Sequence, residues 1–228
     1  MTALSADEIG AVLLSLKVAA VATAVGLPIA LAVGYALARG RFALLPLLDA
    51  ATHLPLVLPP VATGYILLLL FGREGAIGRA LAPLGVVFAF RWTGAALASG
   101  IMAFPLMVRP IRLSIEAIDP EVEEAARTLG AAPIMRFVRV TAPLAAPGLA
   151  AGAVLGFAKA LGEFGATITF VAAIPGATLT IPTAIYEAAQ TPGAESHAVL
   201  LCAISAALAI VAVFASEAVS RRLHRRWR

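Results

Sequence analysis

Charge and cysteine are both scarce in this sequence, and each scarcity excludes something. Only 13% of the 228 residues are charged, where a soluble domain carries about 25%. Hydrophobic residues make up 61% and the mean hydropathy is +0.95, so an ordinary soluble domain is excluded. The composition is that of an integral membrane protein built as one membrane domain, 1–228. The single cysteine, Cys202, rules out an internal disulfide and any Cys-based metal site. His53, His197 and His224 lie far apart and lack i, i+3 or i+4 partners to complete a metal site. Each reads as a helix-end or packing residue. No Gly-x-Ser-x-Gly elbow is present, and no Gly-rich phosphate loop ends in Gly-Lys-Ser/Thr. No cofactor, no nucleotide site and no enzyme activity are expected in this chain, so any ATP is used by a partner. Met1 to Glu8 holds Asp7 and Glu8 but no basic residue, unlike the start of a signal peptide. The first helix is therefore expected to be retained.

What is present is a set of apolar windows between charges. A transmembrane helix needs about 20 apolar residues. The windows run from Val18 to Ala38, Ala50 to Gly72, Trp92 to Val108, Val140 to Ala158 and Ser196 to Ser216. Pro28 is a candidate kink in the first. With five spans and the N-terminus outside, Arg39, Arg41, Arg109, Arg112, Arg127, Arg136, Arg139 and the C-terminal arginines fall inside. That distribution obeys the positive-inside rule. Five of the 17 basic residues stand in the last eight positions, beside a membrane helix, so the net charge of +4 argues for membrane topology rather than nucleic acid.

Phe164 to Tyr186 is long enough to span but contains Pro175, Gly176 and Pro182. A sixth full span there would put the basic tail outside. Phe164 to Ala173 is therefore read as the rest of the fourth helix or a re-entrant piece, and Thr180 to Gln190 as a short outer helix. The second span opens with Leu54-Pro55-Leu56-Val57-Leu58-Pro59-Pro60. Two readings stay open: a helix that begins late, at Pro60, or a broken helix lining a solute path. Lys159 and Glu163 are four residues apart and share one helix face. They read as a neutralising pair or as part of a gate, since ionisable groups inside a membrane face a partner or a cavity.

Asp119 to Gly130 (DPEVEEAARTLG) is a polar helix in an apolar protein. Asp119 is a good N-cap and Pro120 suits the first helical position. Glu121, Glu123 and Glu124 favour the positive end of the helix dipole. Gly130 is placed to end the helix in a left-handed conformation. Val122, Ala125, Ala126 and Leu129 form one apolar stripe, two of them alanines, so another surface can come close. Pro133 is expected to start a second short helix, with Ile134, Phe137 and Val138 on its apolar face. On pattern alone the segment is either a solvated connector or a docking element.

Glu124-Ala125-Ala126, Gly130 and Val140-Thr141-Ala142-Pro143 resemble the EAA loop of ABC importer permeases, although Ala142 stands where that family usually has Leu. The resemblance implies that 116–140 is a cytoplasmic coupling loop docking into a groove on an ATP-binding subunit. Glu121, Glu124, Ala125, Ala126, Leu129 and Gly130 are then the ATPase-coupling residues. LPLVLPPVATGY (Leu54 to Tyr65), FPLMVRPIRLSIEAI (Phe104 to Ile118), GEFGATITFV (Gly162 to Val171), Ile181-Pro182 and Gln190-Thr191-Pro192-Gly193 resemble, in order and spacing, the permease subunits of bacterial molybdate ABC importers. The likeness covers nearly the whole chain. It implies an all-α, type I importer permease fold of about five transmembrane helices in the bacterial inner membrane. It also implies a homodimer, two cytoplasmic ATP-binding subunits and a periplasmic molybdate-binding protein. Sulfate permeases share parts of these motifs, and tungstate nearly matches molybdate in size and charge.

A dianion's path should offer hydroxyls and N–H groups and no unpaired carboxylate. Thr63, Tyr65, Ser99, Thr167 and Thr169 are candidates by type and position, beside ordinary helix packing as their other reading. Pro59 and Pro60 at the break, with Lys159 and Glu163, complete the candidate path. Two further classes are weighed against a permease. An intramembrane enzyme would be active without ATP but has no catalytic constellation here. A membrane scaffold would bind a partner through the polar helix and move nothing.

Overall fold

The computed structural model describes residues 4–226, with side-chain surroundings up to residue 212 and at Phe214. All regular elements among the described residues are helical. The first, α1 (Ala6–Arg39), starts in a capping box. Ser5 Oγ accepts the Glu8 N–H at 3.2 Å, and the Ser5 N–H donates to Glu8 Oε2 at 2.6 Å. Two orphan amides are thus satisfied reciprocally. Pro28 lies inside α1.

The centre of the protein is α5 (Trp92–Glu116), whose Met107, Val108, Ile111 and Ile115 are fully buried. It runs parallel to α1, with Gly100 beside Ala22 and Gly34 against Ile111. On its other side α9 (Ala146–Leu161) runs antiparallel. Gly148, Gly152 and Gly156 are four residues apart and so share one face of α9. A Cβ on Gly148 would come 2.6 Å from the Pro110 carbonyl oxygen, one on Gly152 2.7 Å from that of Met107, and one on Gly156 2.5 Å from Met107 Cγ. Small residues let membrane helices approach backbone to backbone, where packing, not the hydrophobic effect, holds them together.

Two spans bend sharply at prolines, although Pro28 in α1 and Pro105 and Pro110 in α5 lie inside helices that continue through them. Helices α2 (Leu45–Val57) and α3 (Pro60–Phe71) meet at 114° across Leu58-Pro59, so a helix precedes the one that begins at Pro60 and the span is broken between them. The second element also begins earlier than its apolar window suggested, at Leu45. After the short α4 (Ala76–Leu81) and α5 come α6 (Pro120–Thr128) and α7 (Pro133–Arg136). A π-helical turn over Phe137–Thr141 leads into α8 (Ala142–Leu144). The fourth span, which reads as one apolar window, is bent by 68° at Ala145. Pro147 has no N–H for the Pro143 carbonyl, and its ring crowds that oxygen.

After α9 the chain breaks at Gly162-Glu163-Phe164, forms α10 (Gly165–Val171), loops, and resumes as α11 (Ile181–Gln190). Phe164 to Tyr186 is thus not a continuous span. The loop folds on Thr178, whose buried hydroxyl donates to the Ala172 carbonyl at 2.9 Å and accepts the Ile174 N–H at 3.0 Å. Ser15 Oγ of α1 accepts the Ile181 N–H at 2.7 Å, which satisfies an orphan donor at the start of α11. The last element, α12 (Glu195–Arg226), packs on α9 and α11. His197 at its start meets Glu8 at 2.8 Å. His53 is not without a neighbour at helical spacing. Asp49, four residues earlier, lies 3.3 Å from it. Among the described residues, three helices are long and apolar enough to cross a membrane, or five if each bent pair counts as one span.

Candidate functional site

Two places collect the residues singled out from the sequence. The first is the 116–140 segment. Asp119 Oδ1 accepts the Glu121 N–H at 2.9 Å and Pro120 opens α6. The helix closes in a Schellman arrangement: the Gly130 N–H reaches the Arg127 carbonyl and the Ala131 N–H that of Ala126, both at 3.0 Å, with Gly130 at φ +82°. This is the left-handed ending that glycine supplies without strain.

Most of the apolar stripe is uncovered. Val122 and Ala125 are exposed, Leu129 is 88% exposed and Ala126 is half-buried. Ile134, Met135 and Val138 extend this exposed apolar surface beyond the glycine. Glu121 and Glu124 are exposed too, and Glu124 bonds Arg127 at 3.0 Å. Such a surface pair contributes little stability.

The opposite face of α6 is anchored, and its anchor residues are absent from the sequence-derived set. Glu123 Oε2 accepts the Arg39 Nε–H at 3.0 Å, and Glu123 Oε1 accepts the Thr141 hydroxyl at 2.6 Å. Arg39 also donates to the Ile118 carbonyl at 2.9 Å. One carboxylate thus joins α6 to the end of α1 and to the turn before α8. Nearby, Arg112 of α5 holds Asp49 of α2 at 3.0 Å and Glu116 at 2.8 Å, and Tyr35 meets Phe137 edge-on at 5.1 Å. The presence of Arg39 at a helix end was legible. Its pairing with a residue 84 positions away was not.

The second place is where two helix breaks meet. The start of α10 packs on the start of α3: a Cβ on Gly165 would come 2.7 Å from Pro60 Cβ, and one on Gly64 2.5 Å from the Ala166 carbonyl oxygen. This sets Pro60 against Gly165 and Gly64 against Ala166, so the break at Leu58-Pro59 faces the one at Gly162-Glu163-Phe164. Glu163 is 2% exposed. Its carboxylate pairs with Lys159 and accepts the Ala166 N–H at 2.9 Å, serving as a cap for the broken helix.

The hydroxyls here are largely committed to backbone. Thr167 donates to the Phe164 carbonyl at 2.8 Å, Thr169 to that of Gly165 at 2.9 Å, and Thr63 to that of Pro59 at 3.5 Å. Ser99 of α5 is 1% exposed and its hydroxyl has no partner among the described residues. Tyr65 of α3 is 54% exposed.

Residues 26–228 match the family described as "Binding-protein-dependent transport system inner membrane component". The chain belongs to that family. It is 52% identical over 219 residues to the "Molybdenum transport system permease protein ModB" of Escherichia coli K12, covering 96% of each chain. It is 50% identical to the protein of the same name from Haemophilus influenzae, again over 96% of each. Among solved structures it superposes on a bacterial ABC transporter involved in the import of alginate with a TM-score of 0.77. That match has 19% identity and covers 96% of this chain and 80% of the other. The fold is that of type I ABC importer permeases, and the chain is a multi-pass inner-membrane component of a transport system.

In this permease-family chain the Lys159–Glu163 pair has a measurable structural part. Glu163→Gln removes the counter-charge of Lys159 but keeps an oxygen for the Ala166 N–H. The Lys159 side chain is 29% exposed, so the loss is smaller than for a fully buried pair, about 1–2 kcal/mol. A lowered unfolding temperature in detergent is expected, and Lys159→Met/Glu163→Gln should recover most of it. An unchanged unfolding temperature for Glu163→Gln would remove the structural role.

Proposed function

We propose that this chain is the permease subunit of an ABC importer that moves molybdate, or the near-identical tungstate, into the cytoplasm, driven by ATP hydrolysis in a partner subunit. The observation that carries the reading is the near full-length identity to permeases named for molybdenum transport. Two copies would form the path, two cytoplasmic ATP-binding subunits would drive it, and a periplasmic molybdate-binding protein would deliver the oxyanion. The N-terminus lies outside and the basic C-terminus inside, which the arginine distribution supports.

In this reading the 116–140 loop is the lever. The exposed stripe of Val122, Ala125 and Leu129, with Ala126 at its edge, is the docking surface, and its two alanines let the partner approach closely. Glu121, Glu124 and Gly130 border it. Movement imposed on α6 passes through Glu123 to Arg39 and Thr141, and so to α1 and the bent fourth span. Each nucleotide state favours a different conformation, and this biases the alternation between inward- and outward-open states. The path forms around the junction of the two helix breaks, from Pro59, Pro60, Thr63, Tyr65, Ser99, Thr167 and Thr169. Lys159 neutralises Glu163, so no free carboxylate faces a dianion. Unwound backbone at such breaks is a source of N–H groups. The chain needs no cofactor of its own.

The test is ATP-dependent uptake in vesicles holding the chain, its cognate ATPase and its binding protein, with molybdate, tungstate and sulfate in competition. Molybdate and tungstate uptake that excess sulfate leaves unchanged is expected. Preferred sulfate uptake would overturn the substrate, and no uptake with ATPase activity and assembly intact would overturn the transport reading.

Gly130 separates docking from folding. A Cβ there has nothing within 4 Å, so Gly130→Ala meets only the left-handed backbone cost of about 1 kcal/mol. Gly130→Asp adds a charge at the docking surface. Expected is near-normal uptake for Gly130→Ala and at least a tenfold loss of coupled uptake, or of subunit assembly, for Gly130→Asp. Equal behaviour of the two variants would count against docking here.

A further inference from the structure

A groove of about 570 Å³ opens between α1, α2 and α5, away from the junction of the helix breaks. Its walls include Val25 and Ile29 of α1, Ala51 and Pro55 of α2, and Trp92 and Phe104 of α5. The volume is that of a small-molecule site, but almost no polar group lines it.

One end of the groove is set at a membrane surface. Charge-free sequence begins at Val18 on α1 and at Trp92 on α5, immediately after Lys17 and Arg91. Lys17 Nζ lies 3.7 Å from the centroid of the Trp92 ring, a cation–π contact that fixes the ammonium at the lip. Tryptophan is enriched at that level of a bilayer. Lys17 is exposed and among the described residues makes no carboxylate ion pair, whereas Arg91 lines a separate cavity with Arg73 and Glu74.

From this lip the groove follows α1 from Lys17 to Ile29 and α5 from Trp92 to Phe104. Each is a rise of about 18 Å, close to half of the roughly 30 Å hydrocarbon core. A cationic lip over an apolar slot one leaflet deep has the dimensions and charge of one lipid molecule. We infer that this groove holds an anionic phospholipid, with one acyl chain between α1, α2 and α5 and its phosphate at Lys17. The lipid lies in the leaflet from which α1 and α5 enter the membrane. With the topology proposed above, that is the outer one. A lipid at this place would brace α2, the first arm of the broken span, against the rigid α1–α5 pair.

Binding is read on the full-length chain, purified from membranes with the subunits it carries. The probes are phosphatidylglycerol and phosphatidylcholine of equal chain length, added back after delipidation and measured by native mass spectrometry. No cargo or ATP enters the measurement, so its failure is distinct from failure of the transport reading. The wild type should retain phosphatidylglycerol in preference to phosphatidylcholine. Lys17→Gln should weaken phosphatidylglycerol about fivefold, from one surface charge, with phosphatidylcholine unchanged. Val25→Trp, at a residue 61% exposed on the groove wall, should exclude both lipids while the protein stays monodisperse. Equal retention of the two lipids by the wild type, or lipid bound as well to Val25→Trp, would overturn the proposal. Loss of dimers in Val25→Trp without loss of lipid would instead assign the groove to a second copy of this chain.

Discussion

Glu123→Ala should abolish coupled uptake while leaving the chain in the membrane. The carboxylate accepts from Arg39 at 3.0 Å and from Thr141 at 2.6 Å, and the Glu123 side chain is only 15% exposed. Removing it strands a guanidinium whose side chain is 20% exposed and frees α6 from both anchors. The pair is part-buried, so the local cost is about 2–3 kcal/mol. Spread over a large membrane domain, that cost leaves the fold standing. It falls, however, on the carboxylate that ties α6 to both α1 and the turn before α8. In reconstituted complexes ATP hydrolysis should persist and uptake should fall at least tenfold. Glu123→Gln keeps the acceptor for Thr141 and should lie between. The reversed pair, Arg39→Glu/Glu123→Arg, should recover part of the uptake lost in either single reversal. Uptake within twofold of wild type in Glu123→Ala would show that α6 transmits movement by another route.

The second large effect is expected at Gly64. A Cβ there would come 2.5 Å from the Ala166 carbonyl oxygen and 2.9 Å from Ala166 Cα. Both are backbone atoms of α10, and no side-chain rotation relieves the contact. Gly64→Ala forces α3 and α10 apart at about 1–3 kcal/mol, and Gly64→Val should prevent the junction from forming. The expected outcome is a sharp fall in monodisperse protein for Gly64→Val, and for Gly64→Ala a folded protein with little uptake. Gly10→Ala is the matched control. Its Cβ meets nothing within 4 Å, and alanine is about 0.5–1 kcal/mol better than glycine inside a helix. If Gly64→Ala transports as well as Gly10→Ala, the close approach of the two broken helices is not needed for function.

The sequence alone determined what depends on neighbours within a few residues. Low charge and five apolar windows dictated a membrane bundle, because the bilayer core sets span length and penalises exposed polar groups. The ends of α6 were legible because Asp119, Pro120 and Gly130 act on the backbone within one turn. So was the Lys159–Glu163 pair, four residues apart on one face. Pro59 and Pro60 marked a break without giving its 114° angle, since a missing N–H frees the chain but does not aim it. The bend at Ala145 follows from Pro147 and was hidden inside an unbroken apolar run. Only the tertiary structure decided what joins distant segments. Glycines 148, 152 and 156 became a contact face because α5 lies against them. Arg39 found Glu123, and the break at Leu58-Pro59 met the one at Gly162-Glu163-Phe164. Such pairings are set by which helices pack side by side. Helix packing in a bilayer depends on close fit over whole surfaces, which no local pattern encodes.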